Sequence, residues 1–198
     1  MSDDNPYDDG SGFPVETVDF NADFRTEEQV TEPEYSPEGL YHVSVSEMDC
    51  SGKSFAGAVF MSLSILSGNV EGQVGKNLRY VIWPPKTDSK NPEASKRRWK
   101  KTILRLMLVF GLRKHGEFPT VVFNDDWWHG FEGKQCIVAT TLQKQSRKTE
   151  SGRAVEWIVA AIADIGDFYR IGDEAVADVP LDVEAAKVGG YIGSIEDI

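Results

Sequence analysis

The sequence predicts a mainly β fold, a five-stranded barrel with one helix between its third and fourth strands, flanked by disordered acidic tails. Three observations lead there. Five stretches between residues 39 and 165 alternate apolar and polar residues with a period of two, the mark of half-buried strands. One stretch, Asn91 to Leu112, repeats its apolar residues at helical spacing, and it lies between the third and fourth alternating stretches. Outside residues 39–170 the periodicity fades and acidic residues take over. That bounds one domain with two flanking segments, 1–38 and 171–198.

The first strand is read in "LYHVSVSEM", where Tyr41, Val43 and Val45 face one way. After the turn "SGKS", the stretch "FAGAVFMSLSILSG" places Val59, Met61, Leu63 and Ile65 on one face, with Gly57 where a bulge or sharp bend fits. The glycine-punctuated "GNVEGQVGK" leads into "NLRYVIW", a third strand ended by Pro84 and Pro85, which cannot donate to a ladder. In "NPEASKRRWKKTILRLMLVFGL", Asn91 is a good N-cap, Pro92 suits the first helical position, and Gly111 stops the helix. Trp99, Ile103, Leu106, Met107 and Phe110 share one face of that helix, with Arg97, Lys101 and Arg105 roughly opposite. "EFPTVVFNDDWWHGFEG" reads as an irregular connection. "KQCIVATTLQKQ" and "AVEWIVAAIADI" are the last two strands, joined by the hairpin loop "SRKTESGR".

Charge is segregated along the chain. The net charge of −11 hides a basic centre: residues 1–38 hold twelve acids against Arg25 alone, residues 39–170 hold nineteen Lys and Arg against thirteen acids, and residues 171–198 hold seven acids against one lysine. A basic face between acidic ends points to a polyanionic partner for which the ends compete. No run of about 18 uncharged apolar residues occurs, and "MSDDNPYDDGSG" has neither the basic nor the apolar region of a signal peptide, so no membrane association and a cytoplasmic location are expected. The two cysteines, Cys50 and Cys136, have no second ligand at metal spacing and are read as free thiols.

Three strands, a helix and two further strands follow the connectivity of the OB-fold, whose open face binds oligonucleotides or oligosaccharides, an order that other small barrels or a sheet with one packed helix also satisfy. On "GLYHVSV", "SGKSFAGAVFMSLSIL", "GKNLRYVIW", the helix closing in "LRLMLVFGL" and "FEGKQCIVATTLQKQ", the span from Gly39 to about Ile165 resembles a phage-borne family of unknown-function proteins related to OB-fold single-stranded-DNA-binding proteins. The resemblance covers roughly two-thirds of the chain and carries no catalytic signature. It implies binding of single-stranded DNA with little sequence preference, in phage or mobile-element replication or recombination.

A single strand is held by cations that follow its phosphates and by exposed aromatics on which bases stack. The candidates are Lys76, Arg79, Tyr80 and Trp83 on or beside the third strand, Lys86 after it, and Arg97 in the basic helix start "SKRRWKK". Lys134 opens the fourth strand, and Lys144, Arg147, Lys148 and Arg153 surround the last hairpin. Phe55 and Phe60 on the second strand and Trp157 on the fifth supply further aromatic surface, although large aromatics more often fill cores. Trp83 shares its face of the third strand with Arg79 and Val81, which makes it the better stacking candidate.

A protein- or peptide-interaction module that never meets nucleic acid is the alternative. A metal-assisted nuclease using Asp125, Asp126 and His129 of "NDDWWHG" is a weaker third, since three ligands in one loop lack a partner cluster elsewhere. Trp127 and Trp128 beside them fit either a stacking platform or a plug for the barrel bottom. No enzyme is expected and no cofactor or metal. "SGKS", "GQVGK" and "FEGK" fail as phosphate loops because Glu47, Val70 and Trp128 stand where the first glycine is required, and His42, His115 and His129 have no neighbouring nucleophile. The C-terminal "YIGSIEDI", acidic with apolar residues, resembles in character the tails by which bacterial single-stranded-DNA-binding proteins recruit replication and repair proteins. A homo-oligomer is compatible with all of this.

Overall fold

The computed structural model describes residues 36–51, 57–86, 90–148 and 154–191, except for the side chains of Arg147, Lys148 and Val155. The chain divides between Glu34 and Tyr35, and the described residues all belong to the second unit. The N-terminal segment, Phe55, Arg153 and the last residues of the tail lie outside them.

The unit is mainly β. Strands β1 (Gly39–Asp49), β2 (Val59–Gly68), β3 (Asn77–Ile82), β4 (Gln135–Lys148), β5 (Ala154–Ala161) and β6 (Phe168–Tyr169) form an antiparallel sheet in the order β3-β2-β1-β4-β5, with β6 also paired to β4. Helices are α1 (Pro92–Val109), α2 (Asp125–His129) and α3 (Val183–Val188). The sheet is open, and among the described residues no pairing joins β3 to β5. Five strands were expected; the sixth is a two-residue segment too short to show periodicity, held by pairing of Phe168 and Tyr169 with Val138 and Ile137.

Alternation sorts the side chains as expected. Tyr41, Val43 and Val45 of β1 and Val59, Met61, Leu63 and Ile65 of β2 are buried on one side of the sheet. A register shift between Val45 and Glu47 leaves Ser46 and Glu47 both exposed and returns Met48 to the interior, as a bulge does by inserting one extra residue. Ile103, Leu106, Met107 and Phe110 of α1 complete this core together with Phe131 and Phe168. The Asn91 side chain caps α1 by accepting from the Ala94 N–H at 3.0 Å. At the other end Gly111 has φ +70, and Leu112 donates back to the Met107 carbonyl at 2.7 Å, a turn that glycine makes without steric cost.

Three parts of the chain depart from the sequence expectation. "DDWWH" is one helical turn rather than irregular chain, because Asn124 Oδ1 accepts from the Trp127 N–H at 2.9 Å and Asp125 and Asp126 suit a first turn. β4 runs to Lys148, so Arg147 and Lys148 pair with Val155 and Ala154 as ladder residues instead of surrounding a loop. The third departure is the segment after 170. Its described residues fold back onto the outer face of β1 and β4, burying Ile137, Val176 and Val179 in a second cluster with Leu40, Tyr169, Ile171 and Leu181 packed against it. Its acids are spread among small and apolar residues and obey no period, which hides the packing from a sequence reading.

Polar groups fasten that segment. His42, fully buried, faces Gln135 Oε1 at 3.1 Å through Nε2 and accepts from the Asp182 backbone N–H at 3.1 Å through Nδ1. Gln135 donates to the Ala185 carbonyl at 2.8 Å, its own N–H reaches the Tyr191 hydroxyl at 2.9 Å, and Ser67 donates to the Pro180 carbonyl at 2.6 Å.

Candidate nucleic-acid interface

A cleft of about 710 Å³ opens where the end of β3 meets the first half of α1. Its floor is Tyr80 and Ile82. Its walls are Trp83, Pro84 and Lys86 from the strand side and Lys90, Asn91, Ser95, Arg98, Trp99 and Thr102 from the helix side. Local chemistry explains the shape. Pro84 and Pro85 end the strand, the Lys86 N–H donates to Ser95 Oγ at 2.8 Å, and the chain is thereby tied to the helix start. Ala94, Arg98 and Thr102 follow at intervals of four, which puts them on one flank of α1, and Lys90 precedes them in the segment that leads into the helix.

Trp83 is 55% exposed at the cleft mouth, on the face of β3 that also carries exposed Arg79. Trp99 is half-buried, packed on Phe123 with ring centroids 4.9 Å apart. Tyr80 points inward and meets the edge of Phe168 at 4.9 Å; burial, with Asp164 and Asp167 nearby, pushes its hydroxyl up to about 12. It therefore stays a neutral donor at the cleft base. Among the described residues, the ion pairs are Lys96–Glu93, His129–Glu132 and Lys144–Glu156, so Lys86, Lys90 and Arg98 have no described carboxylate within ion-pair distance.

Of the residues expected to bind, Tyr80, Trp83 and Lys86 share this cleft. Arg79 lies beside it, its guanidinium 5.8 Å from the Phe60 ring centroid, a cation–π arrangement that holds the charge on the outer surface of β2 and β3. Lys76 is half-buried in the β2–β3 turn, at the far end of β3 from Trp83. Seven residues of extended chain, at about 3.3 Å each, keep it out of the cleft. Arg97 faces a different hollow on α1, and Lys134 borders a third one with Arg170 and Tyr191. Lys144 is held by Glu156 at 2.6 Å across the β4–β5 ladder, which neutralises it. Arg147 and Lys148 lie at the far end of that ladder.

Lys90, Arg98 and Trp99 complete the cleft. The basic run "SKRRWKK" was visible in the sequence as a cluster of cations, but which flank each cation takes depends on how α1 sits over the sheet. Trp99 was read as a core residue from the helical wheel, and it does pack on the core. Its indole also edges the cleft.

The tryptophans of α2 plug the fold. Trp128 is buried, and Trp127 meets Phe123, Trp128 and Phe131 with centroids 4.7–5.1 Å apart. His129 Nδ1 pairs with Glu132 Oε1 at 2.8 Å, raising the imidazole pKa and lowering that of the carboxyl. Among the described residues no three His, Cys, Asp or Glu side chains come together as metal ligands, and no helix is long and apolar enough to cross a membrane. Burial raises both thiols, Cys50 to about 11 with help from Asp125, Asp49 and Glu132, and Cys136 well above the ordinary range. Neither is poised as a nucleophile. No protein-family model matches the chain, and no curated protein matches it.

Proposed function

We propose that the chain binds single-stranded DNA with little sequence preference, on an OB-like half-open barrel, in phage or mobile-element replication or recombination. The observation that carries this reading is the cleft between β3 and α1, where exposed Trp83 and half-buried Trp99 stand among Lys86, Lys90 and Arg98. An unpaired base offers a face to an indole, and its phosphates offer charge to the cations around it; each stacked base contributes about 1–3 kcal/mol. Bases held by their faces are held irrespective of identity.

The barrel reading is supported by strand order. β3-β2-β1-β4-β5, with the helix between β3 and β4, is the order a five-strand barrel would have if opened between its third and fifth strands. Phe60, Arg79 and Trp83 then lie on the outer surface of the second and third strands, the face such barrels use for oligonucleotides. Phage or mobile-element context comes from the resemblance alone.

The test is fluorescence-anisotropy titration of a labelled single strand of about 30 nucleotides with the full chain at low and high salt, since about six phosphate contacts would cost orders of magnitude in affinity between 50 and 200 mM salt. The full chain is needed because residues 171–191 pack on the sheet. Binding that weakens with salt supports the proposal. No binding at low salt refutes it and favours a peptide-binding module, for which the hollow of about 280 Å³ formed by Trp99, Ile103, Met107, Phe118 and Phe123 is the natural groove.

A further inference from the structure

The other flank of α1 carries a separate hollow of about 450 Å³ lined by Arg97, Lys100, Lys101, Leu104, Arg105 and Arg113. Five of six lining residues are cations, and among the described residues none of them has a carboxylate within ion-pair distance. Glu93, the acid of the first helical turn, pairs with Lys96 at 2.9 Å. The carboxylate of Glu117 accepts from the Lys114 backbone N–H at 2.8 Å.

Two of the cations are pre-positioned. Arg113 donates through Nε to the Leu104 carbonyl at 2.7 Å and through Nη1 to the carbonyls of Lys114 and Glu117. Arg105 donates through Nη2 to the Phe168 carbonyl at 3.0 Å. Each guanidinium has more N–H groups than these bonds use. Backbone carbonyls orient the groups without cancelling their charge. Concentrating like charge in this way is unfavourable for the free protein and favourable only when an anion spans it.

This flank differs from the cleft in one respect that decides its ligand: among the described residues no aromatic side chain lines it. It can neutralise phosphates but cannot stack unpaired bases, so a paired helix satisfies it as well as a single strand does. Duplex DNA, with one charge per about 1.7 Å of axis, is the densest such ligand. At about 100° per residue, Lys101 and Arg98 sit on adjacent faces of α1, about 60° from each other around its axis.

We propose that this flank is a second, phosphate-only DNA surface, and that the preferred ligand is a junction whose single strand enters the aromatic cleft while its duplex lies along Arg97, Lys101 and Arg105. The proposal rests on the single-strand reading of the cleft. It adds the substrate class that the two flanks of one helix recognise together.

Three labelled probes test it with the full chain: a single strand of about 15 nucleotides, a blunt duplex of about 15 base pairs, and that duplex extended by the same single strand, at about 50 mM salt where phosphate contacts dominate. Wild type is expected to bind the tailed duplex about tenfold or more tightly than the single strand. The double variant Lys100→Glu/Lys101→Glu, both residues exposed on α1, is expected to lose that preference, to hold the short single strand within about twofold, and to show a salt slope on the tailed duplex shallower by about 2. Circular-dichroism melts confirm that the variant is folded. Equal affinity of wild type for tailed duplex and single strand overturns the proposal, as does a variant that keeps the preference; either leaves single-strand binding standing. Failure of wild type to bind any probe refutes both readings.

Discussion

His42 Nδ1 accepts the backbone N–H of Asp182 at 3.1 Å, a contact between residues 140 positions apart. An accepting Nδ1 requires the proton on Nε2, which then donates to Gln135 Oε1. Burial lowers the pKa of this imidazole below its ordinary 6.5 against smaller raising effects from Gln135 and the Asp182 charge. The unfolded chain therefore takes up the proton first as pH falls, and stability is lost from about pH 6.5 downward. Above that range the contribution is complete. Thermal melts from pH 8 to pH 5 are expected to show a falling Tm, and His42→Gln is expected to flatten that fall. An unchanged slope in the variant would assign the acid sensitivity elsewhere.

His42→Ala at pH 8 is expected to cost about 2 kcal/mol, because the Asp182 N–H and the Gln135 side chain lose a buried partner. The segment 171–191 should loosen before the sheet does. Hydrogen exchange would show faster exchange at Asp182 and Ala185 while β1 and β2 stay protected.

Trp83→Ala is expected to leave the unfolding free energy within about 1 kcal/mol of wild type, since the side chain is 55% exposed. Single-strand affinity should fall about five- to a hundredfold, the loss of one stacked base. Lys86→Ala and Arg98→Ala should each lower the salt slope by about 0.7 without altering relative affinity for different homopolymers. Anisotropy titrations at several salt concentrations measure both quantities.

Gly68→Ala should destabilise the fold. A Cβ at Gly68 would lie 2.7 Å from the Leu40 carbonyl oxygen and 2.7 Å from Tyr41 Cδ1, where neither backbone nor buried ring can yield. Overpacking of this kind costs about 1–3 kcal/mol. Denaturant unfolding should show a lower midpoint with the slope unchanged.

Neither thiol should react readily in the native state. At pH 8, with Cys50 raised to about 11 and Cys136 fully buried, alkylation is expected to be slow at Cys50 and absent at Cys136 until the protein unfolds. Mass spectrometry of the adducts separates the two sites. Rapid labelling of Cys136 would show that β4 opens locally.

Much of the fold was legible because alternation and capping are local. Tyr41, Val43 and Val45 had to share a face whatever they packed against, and Asn91, Pro92 and Gly111 bounded α1 by their own chemistry. β6 and the packed segment after 170 were not legible. Phe168 and Tyr169 are too few to show a period, and Val176 and Val179 are ordered by contact with Ile137, some forty residues earlier in the chain. For the site, Trp83 was read as a stacking candidate, and its side chain is exposed just beyond the end of β3. The grouping of Lys86 with Lys90 and Arg98, and the separation of Arg97 and Lys76 from them, depended on how α1 lies over the sheet end.

β1 lies between β2 and β4, and its two neighbours arrive at very different times. β2 follows within a short loop, whereas Gly39 pairs with Thr140 across 101 residues. During synthesis the β1-β2-β3 meander can form early, with one side of β1 waiting as an unpaired edge until β4 has emerged. Closing so long a loop is slow relative to local pairing. The exposed edge of β1 is therefore the place where a nascent chain is most open to chaperones and to wrong partners, and the pairing with β4 is the step expected to limit the folding rate.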